Sequence, residues 1–356
     1  MSQSELSLAR SHALFNNNVF FAGVYEDWDI YEPATRMFSH REGRDGSPWG
    51  HIDFPFHTAK MCTYNFENET YLIVLSSEAE VYFHCMSDQA RKPHTEQIPE
   101  AGLEIDGARG YGRMMSIRQI GEKLYACGNG GQIYIRDGKD NWRMLIKDLL
   151  WDPDGYAKSF EEEVAPDDED AYNAWHKNIS DKQNEINPRH LLQDINGPSE
   201  TEIYISGEYG LFYVWNGEEL ENVDVGTQSA LTDIHVTDEG IVWVCGRDGQ
   251  LFSGNEENGF DDHSQDDSSA IFTSVTTYKA KVYIVSHVEP VALIEFDPKS
   301  EKYKDVTPKD YGEFEYLSDI QAIDGVMWLT GMQEILRLKD DKWERIEHPD
   351  IPAPGI

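Results

Sequence analysis

One motif recurs along the 356-residue chain and restricts its fold more than any other feature. Val242–Phe252 reads "VWVCGRDGQLF". Close relatives of it stand at Leu124 ("LYACGNGGQIY"), Ile203 ("IYISGEYGLFY") and Met327 ("MWLTGMQEILR"). Looser copies begin near Val19 ("VFFAGVYEDWDIY"), Tyr71 ("YLIVLSSEAEVYF") and Val282 ("VYIVSHVEPVALI"), which makes seven. Ahead of most copies lies a second apolar stretch with a recurrent Asp or Ser: "LLQDI", "LTDIHV", "FTSVTT", "LSDIQAI". After most comes a polar turn and a segment marked by an aromatic or Leu, such as "DGKDNWRML" or "KDDKWERI". Each unit therefore reads as four short strands, a to d, with Gly, Asn and Asp at the turns.

Four strands of this length cannot bury both faces of their own sheet, but seven such sheets stacked radially can. The expected fold is all-β: a seven-bladed β-propeller occupying residues 1–356 as one domain. "VWVC" is then an interior strand b buried on both faces, which explains why it does not alternate. "GNGG" at Gly128–Gly131 is followed by strand and not by helix, so it reads as a hairpin turn and not as a phosphate loop. "ELSLARSHALF" reads as a first strand a and "DKWERI" as a last strand d, which implies a ring closed with little or no strand exchange.

The unit resembles the short propeller repeats of the bacterial-neuraminidase-repeat and photosystem-assembly-factor kind, most clearly over 124–145, 242–252 and 327–346. That resemblance implies a fold and no activity. The Ser-x-Asp-x-Gly-x-x-Trp box of true neuraminidases is absent, which argues against a sialidase.

Charge is the second constraint. Sixty-six acidic against thirty basic side chains give a formal net charge of −36. Such a field repels nucleic acid and anionic lipid and favours a basic protein partner. No signal peptide and no run of about 18 apolar residues is visible, so neither export nor a membrane span is expected. Cys62, Cys85, Cys127 and Cys245 show no metal spacing, so four free thiols in a reducing, cytoplasmic setting are expected. No nucleophile elbow, HExxH or EF-hand pattern occurs, and His51, His57 and His84 near Asp53 and Cys85 form only a loose scatter. No catalytic residue, metal ligand or cofactor is assigned.

Two acidic tracts stand out: Ser159–Ile186, inside a partly helical insertion over 148–190 between blades 3 and 4, and Asn255–Asp267. Tyr172, Trp175 and Ile179 fall on one possible helix face of the first. The repeat register places both tracts in or close to links from strand d to the next strand a. In a propeller these links share a face with the turns between strands b and c. The candidate partner-binding residues collect there: Glu26, Asp27, Trp28 and Asp29; Glu78 and Glu80; Glu161, Glu162, Glu163, Asp167, Asp168, Glu169, Asp170 and Trp175; Glu208 and Tyr209; Arg247 and Asp248; Glu289; Glu334. Arg109 and Arg113, in "GARGYGR", are rare cations in an acidic chain and read as turn structure with local ion pairing, or as holding an anion. These features suggest a non-enzymatic binder, most concretely an immunity protein or antitoxin covering a basic, nuclease-like toxin domain. The competing readings are a hydrolase or lyase with carboxylates converging at the channel mouth, and an assembly scaffold.

Overall fold

The computed structural model describes residues 6–25, 28, 34–88, 90–152, 168, 171–172, 175, 177, 190–265, 268–287 and 290–350. The repeat folds as expected, into seven four-stranded antiparallel sheets, each built from consecutive strands in the order a-b-c-d. The seven copies of the opening motif are the seven b strands: Asn18–Tyr25, Glu69–Ser76, Lys123–Gly128, Glu202–Gly207, Val242–Gly246, Lys281–Ser286 and Val326–Gly331. The a strands are Leu6–Phe15, Thr58–Phe66, Met114–Ile120, Leu192–Ser199, Leu231–Val236, Phe272–Tyr278 and Leu317–Ile323. They stand side by side around the central channel, with the a strand of blade 7 beside that of blade 1.

Radial stacking explains the unbroken apolar runs. Successive residues of a b strand enter the two different interfaces of its blade. Val242 and Val244 pack towards blade 4, whereas Trp243 and Cys245 pack towards blade 6. Leu124 and Ala126 face blade 2, and Tyr125 and Cys127 face blade 4. Every second residue thus leaves water on one side of the sheet and its neighbour leaves water on the other. Seven apolar clusters fill the seven interfaces between blades.

Among the described residues the ring closes by side-chain packing without strand exchange. Leu6, Leu8, Val19, Phe21 and Phe38 of blade 1 meet Val326, Trp328 and Ile335 of blade 7. One backbone bond, from Leu8 N–H to Met332 O at 2.8 Å, joins the two at the rim. At the "GNGG" turn Gly130 and Gly131 both take positive φ, 77° and 72°. A Cβ on Gly131 would lie 1.9 Å from the Leu149 carbonyl, so glycine is required there by both backbone angle and space.

The second acidic tract lies only partly in a d-to-a link: His263–Gln265 belong to the link into blade 6, and the residues before them do not. Asn255 ends strand c of blade 5, Glu256–Asn258 is the turn to strand d, and Gly259–Asp262 is strand d itself. Glu256 and Glu257 therefore lie on the face opposite the b-to-c turns. A short, exposed outer strand needs little apolar content, and so it reads like a charged loop.

Candidate functional site

Two regions gather polar chemistry: the channel, and the face that carries the b-to-c turns. The channel is built from a feature common to all seven a strands. Near its start each places two residues opposite one of strand b, a β-bulge. The residue just past the extra one is Arg10, Lys60, Ser116, Asp194, Asp233, Ser274 and Asp319 in blades 1 to 7. Those of blades 4 to 7 are the recurrent Asp and Ser of the sequence, and they fasten one blade to the next.

Asp194 accepts the Ile234 N–H at 3.0 Å, and Asp233 accepts the Val275 N–H at 2.9 Å. Ser274 Oγ accepts the Ile320 N–H at 3.2 Å, and Asp319 accepts the Ser11 N–H at 2.9 Å. Arg10 instead donates to the Ala59 carbonyl at 3.1 Å. Each bond crosses from one a strand to the following one, including the pair that closes the ring. The bulge frees a backbone N–H, and the preceding blade supplies its acceptor.

Two of these carboxylates are buried and share two cations. Lys60 Nζ lies 3.4 Å from Asp233 and 3.8 Å from Asp194. Arg118 Nη2 lies 3.4 Å and 3.5 Å from the same pair, and Ser116 Oγ donates to Asp194. Burial alone would raise the Asp194 pKa. The two cations, the Ser116 hydroxyl and the Ile234 N–H more than offset it and hold the carboxyl at about 2. Asp233 goes the other way, raised by burial and by the neighbouring Asp194 charge. His12 and His235, bonded to Thr63 and Thr277, are neutral. Burial first, then the Arg118 charge, lowers them to about 3 and about 4. A cavity of about 150 Å³ here is lined by His12, Lys60, Arg118, Asp233 and His235, among others. Carboxylates do converge, as a channel-mouth hydrolase would require, but Asp194 and Asp233 are bound to backbone amides and to cations. This arrangement fastens the ring and leaves neither as a free general base. Among the described residues no three His, Cys, Asp or Glu side chains gather as a metal site.

On the other region, the b-to-c turns interleave with the d-to-a links, as the repeat register requires. Ser77 N–H meets His57 O, Arg247 N–H meets Ala230 O, and Gly249 N–H meets Ala270 O. Glu78 accepts the Leu103 and Glu104 N–H groups at 2.8 and 3.1 Å, so it anchors the link into blade 3. Glu80 is half-buried and raised in pKa by burial and by Glu78. Glu208 lies 3.6 Å from Arg247 and accepts from Gln193. Asp248 accepts the Ser229 hydroxyl at 2.6 Å. Glu334 is half-buried, and burial raises its pKa. Trp28 packs 5.3 Å from Tyr25, with the Arg36 guanidinium over both rings. Arg109 pairs with Glu100 at 3.6 Å, both side chains being exposed.

Tyr209 differs from these. It is 44% exposed and adopts φ 59°, ψ 31°, a left-handed conformation that a bulky residue rarely takes. Leu103 and Met332 stand exposed on the same face, in a link and in a b-to-c turn. Of the acidic insertion, Asp168 accepts the Ala171 and Tyr172 N–H groups through side chain and backbone. Tyr172 and Trp175 are helical and their rings lie 5.6 Å apart. Glu26, Asp27, Asp29, Glu161, Glu162, Glu163, Asp167, Glu169, Asp170, Ile179 and Glu289 lie outside the described residues. Carboxylates are not confined to this face: Glu256, Glu257, Asp324 and Asp340 are exposed in turns of the opposite one.

No family model matches the chain. Over 254 residues, 71% of this chain and 70% of the relative, it is 23% identical to the immune protein Tsi7 of Pseudomonas aeruginosa. Among solved structures it resembles the WD40 propeller domain of Doa1, with TM-score 0.57 and 10% identity over 94% of this chain and 96% of that one. It resembles YCF48 bound to D1 peptide with TM-score 0.55 and 12% identity over 86% and 88% of the two chains. Virginiamycin B lyase from Staphylococcus aureus gives TM-score 0.55 and 9% identity over 82% and 85%. At these identities the structural likenesses establish the propeller fold alone.

Proposed function

We propose that this protein is a cytoplasmic immunity protein, a non-enzymatic propeller that binds and neutralises a basic, nuclease-like toxin domain. The observation that carries the reading is the likeness to an immune protein over 71% of the chain. The net charge of −36 supports a basic partner, because a nuclease domain carries positive charge for its phosphate substrate.

The docking surface in this reading is the face of the b-to-c turns and d-to-a links. Tyr209, Leu103 and Met332 supply exposed apolar anchors there, on the face that carries the carboxylates of the turns, Glu208 and Asp248 among them. Charge steers the encounter and the anchors set the residence time. The backbone strain at Tyr209 fits this role, since strained residues persist where function holds them.

Co-production provides the test. A toxin domain encoded beside this gene should arrest a bacterial host, and this chain should restore growth and copurify with the toxin. Arrest that persists despite abundant soluble chain would overturn the proposal.

A further inference from the structure

The face opposite the b-to-c turns holds a cleft whose chemistry runs against that of the whole molecule. It lies between blades 1 and 2, encloses about 410 Å³, and is lined by Asn18, Phe20, Ser39, Arg41, Arg44, His84, Cys85 and Met86. Acidic residues outnumber basic ones two to one in this chain, yet no carboxylate lines the cleft and two arginines do. Both are exposed, and neither forms an ion pair among the described residues. Glu42, in the same turn, is directed instead at Arg337 and Lys339 of blade 7, at 2.8 and 3.9 Å.

The backbone favours this placement. The Arg44 Nη1 lies where a Cβ on Gly50 would approach it to 3.2 Å, so the glycine lets the guanidinium fold back over the outer strand. Asn18 is 3% exposed at the cleft wall, and its amide oxygen makes no hydrogen bond. His84 has a ring nitrogen in the same condition. Two guanidiniums lining one cleft without ion pairs among the described residues suit a phosphate, which each can grip with paired N–H donors. An unsatisfied amide oxygen beside them calls for a donor on the same ligand. Phe20 and Met86 supply an apolar wall.

We propose that this cleft binds a small phosphorylated molecule, with its phosphate on Arg41 and Arg44 and a hydrogen-bond donor of its body at Asn18. The cleft is too small for a macromolecule, and the net charge of −36 opposes nucleic acid. The inference stands apart from the immunity reading and fails or survives independently of it.

Calorimetric titration of the full chain with inorganic phosphate, 5′-AMP and adenosine tests it. AMP should bind with a dissociation constant of about 1 mM or below, and adenosine should not bind. Arg41→Ala and Arg44→Ala should each weaken AMP at least about tenfold, since a charged hydrogen bond is lost in each. The double variant should lose binding with its melting temperature unchanged, because neither arginine has an ion pair to forfeit among the described residues. AMP tighter than phosphate supports an organic phosphate as the ligand class, whereas equal affinities would assign the cleft to free phosphate and overturn the placement of a ligand body at Asn18. Absence of binding by both, AMP affinity unchanged in the double variant, or adenosine as tight as AMP would overturn the proposal.

Discussion

Replacing Asp194 by Asn tests whether the buried charges of the channel fasten the ring. The side chain is 1% exposed and accepts from the Ile234 N–H and from Ser116, with Lys60 and Arg118 at 3.8 and 3.5 Å. Asparagine keeps the shape and loses the charge, and its NH₂ must face a donor. Asp194 is held near 2 against an ordinary 3.8, which at about 1.4 kcal/mol per pKa unit corresponds to a few kcal/mol. Breaking a buried pair costs about 3–5 kcal/mol by general experience, so about 3 kcal/mol is expected. For 356 residues the unfolding entropy is about 0.75 kcal/mol/K, which converts this to a fall in Tm of about 4 °C.

The pH dependence gives the sharper signature. A carboxyl with a depressed folded-state pKa contributes stability that is complete above its unfolded value, 3.8, and is lost as pH falls through about 2. The difference between wild type and Asp194→Asn should therefore be constant above about pH 5 and shrink as pH falls to 3. Equilibrium urea unfolding of both proteins at pH 7, 5 and 3 measures it. A difference below about 0.5 kcal/mol at pH 7, or one that does not shrink by pH 3, would refute the electrostatic account of the ring.

Gly131→Ala should destabilise by about 2 kcal/mol or more, because φ of +72° and the Leu149 carbonyl both oppose a Cβ; a thermal melt unchanged from wild type would contradict this. All four cysteines are free and buried, and burial raises the Cys62 thiol to about 12. A thiol reagent should therefore react slowly with the native protein and count four groups once it is denatured; a count of two would mean a disulfide. Tyr209→Gly removes a bulky side chain from a left-handed backbone. It should leave the melting temperature equal or slightly higher while raising the partner's off-rate about tenfold or more, and a lowered melting temperature with unchanged kinetics would assign Tyr209 a structural role.

The blade count was legible because each b strand is buried on both faces and so carries its apolar signature without interruption. Val242, Trp243, Val244 and Cys245 are the clearest case, serving two interfaces by turns. Strand d of blade 5, Gly259–Asp262, was hidden because an exposed outer strand needs few apolar residues. The Asp and Ser before strand b were visible as a pattern, but their acceptor role was not. Asp194 meets the backbone of Ile234 forty residues later, and Lys60 and Asp233 meet across the channel over 173 residues. Contacts of that span arise from the closed ring, and no local spacing encodes them. The cleft between blades 1 and 2 was hidden for the same reason: Arg41, Arg44 and His84 converge only once two blades are packed together.

Carboxylates stand on both faces, so the choice of face is the point on which the functional account turns. Association kinetics with the basic partner domain, measured by surface plasmon resonance at low and physiological salt, compare two sets of charge reversals. One set changes Glu104, Asp106, Asp168 and Asp248 to Lys, all exposed in b-to-c turns or d-to-a links. The other changes Glu256, Glu257, Asp324 and Asp340, exposed on the opposite face. Both sets alter net charge equally, so any general electrostatic effect is shared. The account predicts that the first set lowers the on-rate by about tenfold or more beyond the second, and that the gap narrows as salt screens it over about 8 Å. Equal on-rates for the two sets, or a larger loss from the second, would contradict it.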